Sequence, residues 1–199
     1  MDEHPQIRML SEFVRATIDV ETNTVEVECV FLFENAGSET VVRMGFPEES
    51  WGTSKDVSFL DFYSYVDGAE TEATRELGER VDRYHVKHWW VKEVHFSAGQ
   101  TRVVRNSYLA EAGWISTGER AFTFILWSGA SWAGKIGVAE IVIDFEGPEG
   151  GVEPLFPHPE PTAASPNELR WFYRDFTPGQ SGYPHAISIA WSPAQGSRP

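Results

Sequence analysis

The stretch ILWSGASWAGKIG, residues 125–137, places two serines among glycines and tryptophans, which raises the question of a serine nucleophile. A nucleophile elbow has the pattern G-x-S-x-G at a turn from a strand into a helix. Neither Ser128 nor Ser131 has a glycine two positions away on both sides, and the residues that follow, KIGVAEIVIDF, alternate as a strand. We therefore predict a glycine-bearing turn between two strands, with Trp132 packed over the turn or exposed at its tip.

A second stretch, RYHVKHWWVKEVHF at residues 83–96, is rich in histidine. If it is a strand, His85 and His95 share one face but lie about 33 Å apart, and His88 points to the other face. Acidic loops such as residues 144–153 could hold Ca²⁺, but no EF-hand spacing is present. With 30 acidic residues, candidate carboxylate pairs are too many to indicate a hydrolase. We predict no metal, no cofactor and no catalytic residue.

Tryptophan is the residue type most suggestive of ligand binding, because an exposed indole can stack on a sugar ring or anchor a partner protein. Trp89 and Trp90 are adjacent, so on a strand they point to opposite faces and at most one can enter a single core. The candidate ligand-binding residues are Trp89, with Trp51, Trp114 and Trp132 as alternates. The eight tryptophans of the chain are Trp51, Trp89, Trp90, Trp114, Trp127, Trp132, Trp171 and Trp191.

The elements that must position these residues are strands, because alternation of apolar and polar residues dominates the chain. In TVEVECVFLFEN, residues 24–35, every odd position from Val25 to Phe33 is apolar or cysteine, so Cys29 is predicted to be buried. FVRATIDV, residues 13–20, pairs with this segment as a hairpin. Asp67-Gly68 predicts a tight turn with two positive φ angles. Further strands are predicted near 38–46, 83–96, 101–110, 120–127, 136–146, 168–176 and 186–191.

Helical signal is weak, and the one segment of helix-forming composition, TEATRELGERVDR at residues 71–83, is predicted to be a loop because Gly78 interrupts it. Many strands with short polar turns predict an all-β, immunoglobulin-like antiparallel sandwich. We expect one domain over residues 1–199, with an N-terminal arm at 1–8 and a tail at 192–199. A long loop is predicted at 147–167, a segment rich in proline and glycine.

Charge and cysteine content exclude several classes of function. The formal net charge of −14 disfavours nucleic acid and anionic membrane surfaces as partners, because both would be repelled. A single cysteine cannot form an intrachain disulfide or a zinc site. No apolar run reaches the roughly 18 residues that span a bilayer, so membrane insertion is not expected. The first residues, MDEHPQIRML, have neither the basic nor the apolar region of a signal peptide.

LWSGASWAGKIGVAEIVIDF resembles a signature, W-x-G-x-I-G followed by an alternating strand, of an uncharacterised bacterial family of exported or cell-envelope domains. Other stretches match in order over most of residues 9–191: MLSEFVRATI, VECVFLFENAGSETVVRMGFPEE, YVDG, WVKEVHFSAGQTRVVRNSY and RWFYRDFTPGQ. The resemblance implies an all-β fold and an export route, and it assigns no activity and no catalytic residues. An extracytoplasmic location is expected if a signal peptide has been removed.

From these observations we expect a non-catalytic extracytoplasmic module that is structural or binds a protein partner, with homo-oligomerisation as one possibility. The alternative is a carbohydrate-binding module whose glycan stacks on exposed tryptophans. An enzyme is not expected, because no nucleophile, base and oxyanion donor can be brought together from the sequence.

Overall fold

A computed structural model of the protein describes residues 5–48, 59–80, 86–147, 154–180 and 182–192. The described residues form strands and one short 3₁₀ helix at Trp127–Ser131, so the fold is all-β, as the alternation predicts. The strands are β1 (Ile7–Asp19), β2 (Thr24–Asn35), β3 (Thr40–Glu48), β4 (Asp61–Val66), β5 (Ala69–Glu70), β6 (Thr74–Arg80), β7 (Val86–Phe96), β8 (Thr101–Glu111), β9 (Gly113–Trp114), β10 (Arg120–Ile125), β11 (Ile136–Glu146), β12 (Pro154–His158), β13 (Ala163–Ser165), β14 (Glu168–Phe176) and β15 (Ala186–Trp191).

The largest sheet has eight strands in the order β13-β14-β11-β1-β2-β8-β4-β5. The predicted hairpin of β1 and β2 is confirmed, and its turn is held by Asp19, whose side chain accepts hydrogen bonds from the backbone N–H groups of Glu21 and Thr22 at 2.8 and 3.0 Å. The prediction of a purely antiparallel arrangement is wrong at one place. β1 pairs in parallel with β11, which the long connection between these two strands allows.

Two smaller sheets cover this one: a four-stranded sheet in the order β12-β15-β10-β9 and a three-stranded sheet in the order β3-β7-β6. One cluster of buried apolar side chains draws on all three sheets, with Val27 of the large sheet, Phe96 of the three-stranded sheet and Ile187 of the four-stranded sheet each fully buried. Cys29 lies in this core, as its position in the alternation predicts. The apolar faces of the strands therefore meet between the sheets.

Three sequence predictions need correction. Residues 71–83, predicted as a loop, contain β6, because pairing with β7 overrides their weak local preference. The predicted N-terminal arm at 1–8 already contains the start of β1, and Ile7 is only 1% exposed. The predicted loop at 147–167 contains β12 and β13. Both are edge strands, where proline is tolerated because one side of the strand makes no ladder hydrogen bonds.

The loops that join the large sheet to the three-stranded sheet are tied by Asn35. Its side-chain amide donates hydrogen bonds to the carbonyl groups of Ser38 at 2.7 Å and Ser97 at 3.0 Å, and its side-chain oxygen accepts one from the N–H of Gly37 at 3.0 Å. Ser97 follows β7 and Ser38 precedes β3, so this buried side chain at the end of β2 holds the ends of two strands of the three-stranded sheet in position.

Candidate functional site

Of the four tryptophans predicted to bind a ligand, the three that the structure describes do not form a shared exposed platform. Trp51 lies outside the described residues, and the other three are half-buried in separate contacts. The ring of Trp89 lies edge-on to Trp127 at 5.9 Å, and the guanidinium of Arg120 lies 3.5 Å from the ring of Trp114. The ring of Trp132 lies 4.6 Å from the ring of Phe33, so of the two positions predicted for Trp132 the structure shows the packed one.

The feature that brings functional groups together is a cavity of about 50 Å³ between the three sheets and the 3₁₀ helix. Its buried side chains come from β1, β2, β3, β7, β8 and β10, and its half-buried ones include Trp90, Ser128 and Trp132. The half-buried residues therefore form the side nearer to solvent. The lining residues are Met9, Glu12, Phe31, Phe33, Met44, Gly45, Phe46, Pro47, Trp90, Lys92, Val104, Asn106, Phe124, Ile125, Ser128, Gly129 and Trp132.

Glu12 is the first polar group of this cavity. It stands on the inward face of β1, one alternation step before Val14, and is only 6% exposed. Among the described residues no hydrogen bond or salt bridge joins its carboxyl group to another group. Burial without a partner disfavours the ionised form and raises the pKa of Glu12 to about 8. A carboxyl group is thus held against the cavity with its hydrogen-bonding capacity unused.

Lys92 is the second polar group, and it points inward from β7 at 7% exposure. Its ammonium group donates hydrogen bonds to Asn106 Oδ1 at 2.8 Å and to Ser64 Oγ. The hydroxyl of Ser64 donates to the same Asn106 oxygen at 2.8 Å. These partners are neutral, and within the described part of the chain no carboxylate pairs with Lys92. Burial therefore lowers its pKa to about 8.

An ion pair between the buried Glu48 and the exposed Arg75 supports one wall of the site through Trp90. Glu48 accepts two hydrogen bonds from Arg75, at 2.7 and 3.2 Å, and one from the indole N–H of Trp90 at 2.9 Å. The ring of Trp90 stacks on Phe62 at 4.7 Å, and Trp90 itself lines the cavity. The position of this wall is therefore set by a carboxylate whose hydrogen bonds are satisfied, in contrast to Glu12.

Residues 125–137, which were examined above for a serine nucleophile, supply the rim of the cavity. Residues 127–131 form the 3₁₀ helix, in which Ser131 Oγ donates a hydrogen bond to the carbonyl of Ser128 at 3.0 Å. Gly134 has a φ of +73°, which glycine adopts without strain. A Cβ atom on Gly137 would lie 2.6 Å from the carbonyl oxygen of Leu10, so β11 approaches β1 closely here. The W-x-G-x-I-G pattern is thus explained by turn and strand geometry.

Glu12, Lys92, Asn106 and Ser64 were not predicted as site residues, although the sequence contains a signal for them. Each occupies a position on the apolar phase of its strand, for example Lys92 in phase with Val94 and Phe96. A polar residue in that phase must be buried, and a buried polar group needs a partner or a ligand. What the sequence does not contain is which other sheet covers each position.

The histidines do not form a metal site in the described part of the chain. His85 lies outside the described residues, and the exposed His95 bonds to Glu39 at 2.9 Å. Among the described residues no group of three or more His, Cys, Asp or Glu side chains is placed to hold a metal ion. The described helical residues include no segment that could cross a lipid bilayer.

No protein-family model matches the chain, and no curated protein matches it. Solved structures do resemble it. One, from Legionella pneumophila and named "putative nutrient binding protein", matches with a TM-score of 0.70 and 17% identity over 96% of this chain and 68% of that chain. At that identity the likeness shows the fold alone.

Two peptidase-related structures match over less of their own length. Yeast leukotriene A4 hydrolase matches with a TM-score of 0.46 and 11% identity, over 94% of this chain and 29% of that chain. The M1 zinc metallopeptidase of Deinococcus radiodurans matches with a TM-score of 0.41 and 9% identity, over 95% of this chain and 43% of that chain. This chain therefore spans less than half of each of these proteins, and the TM-scores are too low to carry an argument.

Proposed function

We propose that the protein is a non-catalytic binding module that holds a small polar ligand in the cavity between its sheets. The observation that carries this proposal is Glu12, a carboxyl group that is almost fully buried, faces the cavity and has no partner among the described residues. Leaving a buried polar group unpaired costs free energy, and such groups in folded proteins are normally paired with protein, water or a ligand. A polar ligand would supply the missing partner.

A non-catalytic role is supported by the way Ser64 is held beside Lys92. A lysine of lowered pKa next to a serine is one arrangement that activates a nucleophile. Here Ser64 is 2% exposed and its hydroxyl donates to Asn106, while Lys92 donates to its oxygen. The serine proton is thus directed away from the lysine, and the hydroxyl is not among the cavity's lining groups. The network therefore supports the site, and Ser64 is not presented to the cavity as a nucleophile.

The proposal is tested by thermal unfolding with a panel of small amines, carboxylates, amino acids and sugars. A ligand at about 100 times its Kd stabilises by about 2.7 kcal/mol, which is a rise in Tm of about 5 to 10 °C for a chain of this size. Ser128→Phe should block the rim and abolish the rise. Ala130→Phe is the matched control, because Ala130 is exposed on the same 3₁₀ helix. A panel without any rise, or a rise that Ser128→Phe leaves intact, would contradict the proposal.

A protein partner is the second candidate, and Phe156 favours it. This aromatic residue is 81% exposed on the edge strand β12 and has a φ of +52°, a backbone conformation that strains a bulky residue. An exposed ring on an unpaired sheet edge can anchor a second chain. Sedimentation of the wild type and Phe156→Ser, alone and at high concentration, tests self-association. Identical monomeric behaviour of both proteins would remove the homo-oligomer from consideration.

Several finer predictions belong to the same proposal. The immunoglobulin-like arrangement of the sheets, the membership in the exported bacterial family and the extracytoplasmic location are proposed on the strand pattern and the quoted motifs. A glycan ligand has less support than a small polar one, because Trp89, Trp114 and Trp132 are half-buried and contact other side chains. The sugars in the panel test it directly.

A further inference from the structure

The cavity contains two charged residue types of opposite sign, and neither has a counter-ion among the described residues. Glu12 has no partner, and Lys92 has only the neutral oxygens of Asn106 and Ser64. An unpaired ion buried in a protein is unfavourable, whereas the same ion beside an opposite charge is stabilised. A cation placed beside Glu12 would favour its ionised form, and an anion placed beside Lys92 would pair with its charge.

Glu12 and the Lys92–Asn106 pair lie at different positions along the inner side of the large sheet. Glu12 is on β1 and Asn106, the hydrogen-bond partner of Lys92, is on β8, with β2 between them. In the strand register Glu12 lies opposite Phe31, and Phe31 lies opposite Val104, which is two residues from Asn106. With strands about 4.8 Å apart and a rise of about 3.4 Å per residue, the backbones of Glu12 and Asn106 are separated by about 12 Å. Their side chains project into the same cavity. A small molecule between them could contact both ends at once.

The walls favour a cation at the Glu12 end. Phe31 is paired with Glu12 in the β1–β2 register, and both line the cavity. Aromatic faces attract ammonium groups, so the ring of Phe31 beside Glu12 favours an organic cation at this end. The aromatic residues that line the cavity are Phe31, Phe33, Phe46, Trp90, Phe124 and Trp132.

The opposite end offers donors for an anion. The ammonium group of Lys92 has three N–H bonds and uses two of them on Asn106 and Ser64. The side-chain NH₂ of Asn106 makes no hydrogen bond within the described residues, and Asn106 lines the cavity. A carboxylate placed here would accept from both residues and would bring a counter-charge to Lys92.

We propose that the cavity binds a small zwitterion of amino-acid size, with its ammonium group at Glu12 and its carboxylate group at Lys92 and Asn106. This inference rests on the proposed function and names its ligand class. The volume of about 50 Å³ equals roughly four water-sized spheres, which suits a molecule of a few non-hydrogen atoms. A side chain on the ligand would extend toward the half-buried rim at Ser128 and Trp132.

The test is isothermal titration calorimetry of the full chain with four probes: glycine, glycine betaine, methylammonium and acetate. Glycine and glycine betaine share the zwitterion and differ in methylation, so they distinguish a primary from a quaternary ammonium. We expect one of them to bind at least about tenfold more tightly than methylammonium or acetate. Glu12→Gln and Lys92→Met should each weaken that probe by about tenfold or more, since each removes one counter-charge. Glu26→Gln, on the exposed face of β2, is the matched control.

The outcomes separate the two proposals. Tighter binding of a zwitterion, lost in both cavity variants and kept in Glu26→Gln, supports the inference. Equal affinity of the zwitterion for the wild type and both cavity variants overturns it. Binding of methylammonium or acetate alone also overturns it but leaves the cavity as a small-ligand site. If no probe binds and no member of the wider panel raises the Tm, the proposed function itself fails. Circular dichroism of each variant establishes that it is folded.

Discussion

The ammonium nitrogen of Lys92 lies 2.8 Å from the amide oxygen of Asn106, so a buried cation is held by a neutral partner. The same oxygen also accepts from Ser64, which locks the three side chains in one arrangement. Across the cavity, the carboxyl group of Glu12 has no partner in the described part of the chain. The hydrogen bond from Lys92 to Asn106 therefore holds the ammonium group in place and leaves its positive charge without a counter-ion in the described residues.

Glu12 makes stability depend on pH in a defined direction. Its pKa is 4.5 in an exposed chain and about 8 in the fold, so the folded protein binds more protons between these values and loses stability as the pH rises through them. The stabilisation is fully present below pH 4.5 and amounts to about 5 kcal/mol. We expect Glu12→Gln to lack this decline. Relative to the unfolding free energy of the wild type, that of the variant should therefore rise by about 5 kcal/mol between pH 4.5 and pH 8.

Urea unfolding of both proteins across this pH range measures the difference, and Glu26→Gln reports the effect of removing an exposed carboxylate. The titratable groups near Glu12 do not reverse the sign. Cys29 remains a thiol because burial, followed by the charges of Glu12 and Glu28, raises its pKa well above the usual value. A difference between wild type and Glu12→Gln that stays constant with pH would show that Glu12 is ionised in the fold.

Lys92 makes the stability of the fold depend on pH in the opposite direction to Glu12. Burial lowers its pKa from 10.5 to about 8, so its contribution to stability is present above pH 10.5 and is lost as the pH falls through 8. At neutral pH the buried ammonium therefore destabilises the fold by about 3 kcal/mol. Lys92→Met, which keeps an unbranched apolar side chain and removes the charged terminal group, should unfold at higher urea concentration than the wild type at neutral pH. The electrostatic part of this gain should vanish above pH 10.5.

The exposed Lys135 offers the control for that experiment. Lys135→Met should change the unfolding free energy by no more than about 0.5 kcal/mol. If Lys92→Met is strongly destabilising instead, the ammonium group is needed to satisfy Asn106 and Ser64, and the hydrogen bonds outweigh the burial of the charge.

Arg75 should matter far more than Arg43, although both belong to salt bridges of the three-stranded sheet. Arg75 bonds twice to Glu48, whose side chain is only 2% exposed, whereas Arg43 pairs with the half-exposed Glu76. Arg75→Met takes two hydrogen bonds from a buried carboxylate, but Arg75 itself is 40% exposed, so the loss should be about 2 kcal/mol. Arg43→Met should cost less than about 1 kcal/mol. Chemical unfolding of the two variants measures this, and equal losses would contradict the assignment of Glu48 as a buried anchor.

Two glycines of the W-x-G-x-I-G pattern should differ in their sensitivity to alanine. Gly134 has a positive φ but open space around it, so Gly134→Ala should cost about 1 kcal/mol. Gly137→Ala would place its Cβ 2.6 Å from the Leu10 carbonyl oxygen, where β1 has an irregular register. Relieving this contact requires β11 and β1 to move apart, which should lower the free energy of unfolding by about 2 kcal/mol or more. Thermal unfolding of the pair checks the order, and a larger loss in Gly134→Ala would overturn it.

Alternation and turn residues predicted individual strands of this fold, whereas the pairing of strands that are distant in the sequence could not be predicted from it. Strict alternation predicted β1 and β2, and the Asp67-Gly68 turn has the two positive φ angles expected of it. The parallel pairing of β1 with β11 was not predicted, because alternation indicates which face is buried and not which direction the neighbour runs. Residues 74–80 were missed because their composition carries no strand preference and only the pairing with β7 makes them extended.

The candidate site was predictable only in part. Glu12 and Lys92 could have been identified as polar residues on apolar faces, but their meeting in one cavity depends on how two sheets pack. The same applies to the tryptophans. Adjacent Trp89 and Trp90 were correctly expected on opposite faces, yet the contacts of Trp89 with Trp127 and of Trp90 with Glu48 join residues distant in sequence. Long-range packing, which local patterns do not encode, decided which aromatic residues were exposed.

The most direct test is a carbon-13 NMR titration of the Glu12 carboxyl group, assigned by its absence in Glu12→Gln, without and with a saturating amount of glycine or glycine betaine, whichever binds more tightly. We predict a pKa of about 8 for the free protein, because the carboxyl group is buried without a partner among the described residues. We predict a lower pKa with the zwitterion bound, because an adjacent ammonium group favours the ionised form. A Glu12 pKa near the ordinary value of 4.5 that neither zwitterion shifts would contradict the cavity as a charged binding site.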